Sequence, residues 1–116
     1  MAAGSVLDDA EVDRIFQALA DATRRDIVRR VIEREQSVSE LAGRYAMSFA
    51  AVQKHVAVLE RSRLVTKSRQ GREQIVRLES ATVRYARGLL DELDRMWRGR
   101  IDRMDAILGE AEGKGA

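Results

Sequence analysis

The sequence predicts a mostly α-helical fold with a small β-hairpin, and three observations lead to that expectation. Apolar residues recur at helical spacing in five separate segments of the 116-residue chain. Only once does the period become strand-like, over 64–69 and 73–78, where Val65, Thr66, Ile75 and Val76 supply β-branched side chains around Gln70 and Gly71. The chain has no proline and no cysteine, so element boundaries must be read from caps and glycines.

Residues 8–110 are expected to form one domain, between flexible tails at 1–7 and 111–116. A first helix covers about 8–20, with Val12, Ile15, Phe16 and Leu19 on one side and Asp8, Asp9 and Glu11 at the positive end of its dipole. Asp21 caps a second helix, about 22–35, whose Ile27, Val28, Val31 and Ile32 form an inward stripe between arginines. Ser37 and Glu40 have the spacing of a capping box and open a short third helix, about 38–45, with Val38, Leu41, Ala42 and Tyr45 inward. Three residues later Ser48 caps a fourth helix, about 49–62. Its Phe49, Val52, Val56 and Leu59 point inward, while Ala50, Ala51, Gln53, Lys54 and Ala57 face away. The hairpin follows, with Gly71 supplying the positive φ of a tight turn. A last helix runs from about 80 to 110, with Val83, Ala86, Leu90, Leu93, Trp97, Ile101, Met104 and Leu108 in one stripe, widened by Leu89 and Met96.

Net charge is only +2, but it is unevenly placed. Residues 1–20 hold four acidic groups and one basic, whereas 48–79 hold seven basic (Lys54, Arg61, Arg63, Lys67, Arg69, Arg72, Arg77) against three acidic. Such a local basic surface suits a polyanionic partner. With one histidine and no cysteine, thiolate metal sites, thiol redox switches and nucleophile–base pairs have little to work with. No phosphate-binding glycine loop is present either, so no enzyme, cofactor or metal site is expected. No apolar run reaches the ~20 residues of a bilayer span, and the N-terminus lacks a basic-then-apolar signal. A cytoplasmic protein with no membrane partner is the expectation.

A short helix, a three-residue turn and a second helix make a helix-turn-helix, and the basic hairpin behind it makes a winged one. The inward stripe of the fourth helix would pin it to the domain and leave its opposite face for a DNA major groove. Ala50 and Ala51 are small enough for close approach, Gln53 has the groups to pair bidentately with adenine, and Lys54 can reach a guanine edge or a phosphate. Ser48 is first a cap, although the amides at its helix start also suit a phosphate. On the wing, Lys67, Arg69, Gln70 and Arg72 would meet the flanking backbone or the minor groove, adding affinity more than sequence choice. The last helix is too long and too apolar to be only the lid of so small a domain. Its stripe of Leu90, Leu93, Trp97, Ile101, Met104 and Leu108, together with Phe16, is expected to be the contact with a second copy. The alternative for that stripe is a helix folded back into intrachain core.

Three stretches resemble a known family. Residues 16–25, FQALADATRR, closely resemble the F-x-A-L-A-D-P-T-R-R of ArsR-type winged-helix transcriptional repressors. Residues 37–65, SVSELAGRYAMSFAAVQKHVAVLERSRLV, are similar to their S-V-x-E-L-A…S…V-S-x-H-L-x-V-L-x-x-x-G-L-V core, and SRQGREQIVRL (68–78) is similar to their wing. The last helix, with Met96, Trp97 and residues 101–108, resembles a metal-independent branch. The resemblance implies a homodimeric repressor on a palindromic operator in double-stranded DNA near its own promoter, without a metal site. It also implies a phosphate or backbone contact for His55, which matches the family histidine of the reading helix; the alternative is a helix-surface or boundary histidine that supports the turn. An effector, small molecule or protein, is left unspecified. Departures are Ala22 for the usual proline, Ala51 where threonine is common, Gln53 where serine is frequent, and Arg63 at the glycine that ends the reading helix. The last implies a different C-cap there. The rival function is a winged-helix protein-interaction module with no specific DNA site, its basic wing serving solubility.

Overall fold

Four side-chain caps decide where the helices begin. The computed structural model describes residues 6–114, with side chains as far as Glu110. Helix α1 (Asp9–Leu19) opens on a capping box: Asp8 accepts from the Glu11 amide at 2.8 Å, and Glu11 accepts from the Asp8 amide. Asp21 accepts from the Arg24 amide at 2.9 Å and starts α2 (Ala22–Glu33). A two-residue strand, β1 (Gln36–Ser37), leads into α3 (Val38–Ala42), where Ser37 and Glu40 form the expected capping box. Ser48 then accepts from the Ala51 amide at 3.1 Å ahead of α4 (Phe49–Arg61). Each cap satisfies amides that have no partner inside their own helix.

Strands β2 (Val65–Gln70) and β3 (Glu73–Leu78) pair antiparallel, with Val65 opposite Leu78 and Gln70 opposite Glu73. Their two-residue turn is Gly71-Arg72, and Gly71 takes φ 62°, a conformation glycine adopts without a Cβ penalty. The expected two-stranded wing is in fact part of a three-stranded sheet. Gln36 and Ser37 of β1 pair with Val76 and Ile75, giving the order β1-β3-β2. A strand of two residues spans a single alternation, too short for a repeating period to announce it.

The core lies among the inward faces of α1–α4 and the sheet, where Ile15, Ile27, Leu41, Val52, Val56, Leu59 and Val76 are fully buried. Two residues expected there are not. Ile32 is 57% exposed: it sits about 100° round the helix from Val31, off the arc defined by Ile27, Val28 and Val31. Phe49 is 48% exposed because the whole run 46–50 is exposed and the start of α4 stands clear of the core. Helix α3 also ends earlier than expected, at Ala42 rather than about 45. The amides of Arg44 and Tyr45 bond the carbonyls of Leu41 and Ala42, so the chain tightens into i→i+3 bonds and the turn to α4 lengthens.

Arg63 corrects a further expectation. It holds φ 63°, the left-handed conformation in which a glycine is usual. The Arg63 amide bonds the Glu60 carbonyl and the Leu64 amide bonds the Leu59 carbonyl, both at 3.0 Å. That is the paired bonding of a Schellman motif, completed by Leu59 and Leu64, which are both buried. The family's glycine cap is therefore kept, with an arginine under strain in its place.

Helix α5 (Ser80–Lys114) runs past the expected limit of 110, so the described part of the expected 111–116 tail is helical. Residues 1–5 and 115–116, the remainder of both expected tails, lie outside the described residues. The chain divides into two compact units, one ending at Arg84 and one beginning at Tyr85. The first holds α1 to β3 and the opening turn of α5; the second is the rest of α5. No helix among the described residues is long and apolar enough to cross a membrane.

Arg63→Gly relieves the left-handed strain and should stabilise the fold by about 0.5–1 kcal/mol after glycine's extra chain entropy is subtracted. Thermal denaturation should show a midpoint higher by a few degrees, while Arg63→Ala, which keeps the Cβ, gains nothing. A lower midpoint for Arg63→Gly would mean that the exposed contact with Glu11, 3.5 Å away, outweighs the strain.

Candidate nucleic-acid interface

Helix α4 shows two chemically different sides. Val52, Val56 and Leu59 are buried, whereas Ser48, Ala50, Gln53 and Lys54 are exposed, with Ala51 and His55 half-buried at the boundary. The Ser48 hydroxyl is occupied by its cap. Among the described residues neither Gln53 nor Lys54 makes a side-chain hydrogen bond or ion pair, so their polar ends are available to a ligand. The helix start thus combines small side chains, one amide, one ammonium and a positive dipole end.

One arginine joins α4 to the end of α1. The Arg24 guanidinium donates to the carbonyls of Ala18 (2.8 Å) and Gln17 (3.1 Å) at the end of α1, and lies 3.3 Å from His55 Nδ1 on α4. Arg25 adds a bond to the Leu19 carbonyl at 2.8 Å. Arginine has donors only, so this geometry makes His55 Nδ1 the acceptor and puts the imidazole proton on Nε2. Asp21 lies 4.0 Å from the same ring, and its carboxyl is held below the usual range chiefly by the Arg24 amide, with the Arg24 guanidinium assisting. His55 is therefore tied to the α1–α2 junction by one nitrogen and keeps one donor for another partner.

The roles of Arg24 and Arg25 were not read from the sequence, although a signal was there. Both stand in the first turn of α2, where cations oppose the helix dipole. Cations at that place need another use, and the carbonyls at the end of the preceding helix supply it. A second cluster was missed as well. The Tyr45 hydroxyl donates to Asp26 at 2.6 Å, Arg30 donates to the same carboxylate at 2.8 Å, and the guanidinium lies over the Tyr45 ring. This ties the turn between α3 and α4 back to α2. Asp26 is held low by the Tyr45 hydroxyl first and Arg30 second, while burial and then the Asp26 carboxylate push the Tyr45 phenol up to about 12.

On the wing, the four predicted residues separate. Lys67 is half-buried and pairs with Glu60 of α4 at 3.6 Å, so it braces the hairpin against the helix. Arg69 bonds the Gly71 carbonyl at 3.2 Å and, with Gln70 and Arg72, sits exposed at the tip. Arg77 is bound to Glu35 and Ser68, tying β3 to the segment after α2. The predicted contact residues of the last helix, Leu90, Leu93, Trp97, Ile101, Met104 and Leu108, are each between 38% and 61% exposed, and Phe16 on α1 is exposed too. Phe16 belongs to the first compact unit and the other six to the second. Among the described residues no three His, Asp or Glu side chains gather as a metal site.

The chain is similar to several known proteins. The family described as "Bacterial regulatory protein, arsR family" matches residues 21–67, from the α2 cap into β2. The HTH-type transcriptional regulator Rv2034 of Mycobacterium tuberculosis is 39% identical over 85 residues, 73% of this chain and 77% of that protein. The HTH-type transcriptional regulator KmtR of the same organism is 40% identical over 73 residues, 63% of this chain and 56% of that protein. Among solved structures, an ArsR-like transcriptional regulator from Rhodococcus sp. RHA1 superposes with a TM-score of 0.74 at 32% identity, covering 84% of this chain and 92% of that one.

The Tyr45 cluster gives a pH-dependent readout. Its phenol ionises higher in the folded chain than the usual 10, so its support for the fold is complete below pH 10 and lost as pH rises toward 12. Asp26 behaves oppositely: its support is present above the ordinary aspartate range and lost on acidification. Titrating phenolate absorbance of the native chain against Tyr45→Phe should isolate a step near pH 12; a step near 10 would mean that neither the burial of the phenol nor its bond to Asp26 holds in solution.

Proposed function

Because the chain belongs to the arsR family of bacterial regulatory proteins, we propose that it acts as a homodimeric repressor on a palindromic operator near its own promoter. It is a DNA-binding transcriptional regulator with a winged helix-turn-helix, from a family that does not perform catalysis. The observation that carries the finer reading is the free polar face at the start of α4, a helix joined to the end of α1 by Arg24. In this reading Gln53 pairs with adenine, Lys54 meets a guanine edge or phosphate, and Ala50 and Ala51 admit the groove edge. His55 offers Nε2–H to a phosphate, as do the amides of the α4 start. Arg69, Gln70 and Arg72 meet the flanking backbone from the wing tip, with Lys67 placed behind them.

The dimer rests on α5. The residues from Leu90 to Leu108 recur every three or four positions along about 27 Å of helix, and an exposed apolar stripe of that length suits a second copy of itself. We assign residues 8–110 to the winged domain and 80–110 to its dimerisation helix, with Phe16 contributing from α1. Two reading helices then meet successive major grooves about 34 Å apart, which requires a two-fold operator. With no cysteine and one histidine in the whole chain, we propose a regulator without a metal-sensing site, acting in the cytoplasm. Its effector, if it has one, is a small molecule or a protein.

Footprinting on the DNA upstream of its own gene, over a range of salt concentrations, should reveal a two-fold protected site. Its log–log salt slope should be about −0.9 per phosphate contact, and protection should disappear in Gln53→Ala/Lys54→Ala. Diffuse, sequence-blind protection unchanged in that variant would instead favour a protein-docking role. Separately, Trp97→Ala/Ile101→Ala should shift sedimentation from dimer to monomer while the fold remains; an intact dimer would place the stripe elsewhere than the subunit contact.

A further inference from the structure

We propose that the first turn of α4 reads thymine by its methyl group, with Phe49 as the contact and Met47 and Ala50 beside it in sequence. This rests on α4 entering the major groove, as proposed above. Phe49 occupies an apolar register position three residues before buried Val52, yet it is 48% exposed, and Met47 is 36% exposed. All five residues of 46–50 are exposed, so two large apolar side chains stand at the leading end of the helix. Apolar surface placed there is out of keeping with a helix face that serves only solubility.

The surroundings choose the occupant. Arg44 just before the helix and Lys54 within it are exposed, and neither has a carboxylate partner among the described residues. The Ser48 cap satisfies one amide and leaves the helix's positive end at the same place. An apolar contact set in a cationic rim fits a polyanion that carries an apolar group. In the major groove of duplex DNA that group is the C5-methyl of thymine. Gln53 follows Phe49 by four residues, about 6 Å along the helix, which is between one and two base-pair steps of about 3.4 Å. A thymine against Phe49 therefore lies one or two steps from an adenine paired with Gln53, and the half-site holds both.

The test uses the full chain and a duplex it selects from a random-sequence pool. Each thymine in the half-site is replaced in turn by deoxyuridine, which removes only the methyl. One or two positions per half-site should weaken binding by about fourfold each, the equivalent of about 0.8 kcal/mol for one methyl-sized group at 1.4 kcal/mol per decade. Phe49→Ser should bind thymine and uracil duplexes alike, and Phe49→Leu should keep the preference. Because the scan on the native chain involves no variant, its result does not depend on how Phe49→Ser folds. If the native chain tolerates every uracil, or loses affinity to the same extent as Phe49→Ser, the methyl reading is overturned while DNA reading by α4 stands. If no sequence is enriched from the pool, both readings fall together.

Discussion

The guanidinium of Arg24 is where three helices meet, and the presentation of α4 depends on it. Its donors take two of the last carbonyls of α1, and its remaining end meets His55 on α4. Hydrogen bonds from a charged donor contribute about 1.5–3 kcal/mol when well formed, and this side chain is four-fifths shielded from water. Hydrophobic packing of Val52, Val56 and Leu59 holds α4 on the core and sets which side faces inward, but it makes no directional bond to the α1–α2 junction. A directional contact from His55 supplies the missing restraint. It ties that setting to the α1–α2 junction, while Gln53 and Lys54 lie on the exposed side.

The same logic orders the remaining charges. Ion pairs at exposed positions are each worth little to stability, so the pairs of Arg34 with Glu40, Arg77 with Glu35 and Lys67 with Glu60 are poor explanations of why the chain stays folded. Their effect on the electrostatic surface is larger. Each ties a carboxylate to an arginine or lysine of the scaffold, and Arg30 does the same for Asp26. Lys54 on α4, Arg72 at the wing tip and Arg44 in the turn between α3 and α4 have no such carboxylate among the described residues. A chain with a net charge of only +2 can in this way show a polyanion a strongly cationic surface.

How much of this was legible depended on whether the signal was local. The caps at Asp21, Ser37 and Ser48 were readable because a cap is a residue type followed by an amide two or three positions later. The turn at Gly71 was readable for the same reason. β1 was not, since Gln36 and Ser37 become a strand only by pairing with Val76 and Ile75, nearly forty positions away. The joint made by Arg24 was not readable because its partners lie six, seven and thirty-one residues distant. Ile32 and Phe49 were placed inward because periodicity gives an arc but neither its edge nor the point where a helix leaves the core. Arg63 misled in another way: arginine disfavours the left-handed conformation, but the burial of Leu59 and Leu64 and two backbone bonds outweigh that cost.

That strained corner also fixes the wing. Only Ser62, Arg63 and Leu64 separate α4 from β2, and Ser62 and Leu64 are buried, Ser62 with its hydroxyl bonded to the Leu59 carbonyl. Lys67 then meets Glu60 across the join. A hairpin on a slack linker would sample many positions relative to the helix, and each would have to be given up on binding. Here β2 leaves the end of α4 in one direction and carries the tip about 17 Å along its six residues. In the proposed complex, a base contact made by α4 therefore dictates which phosphates Arg69 and Arg72 can reach. Register chosen by a few side chains on the helix is converted into affinity by charges on the wing, and the wing adds most when the helix has found its sequence.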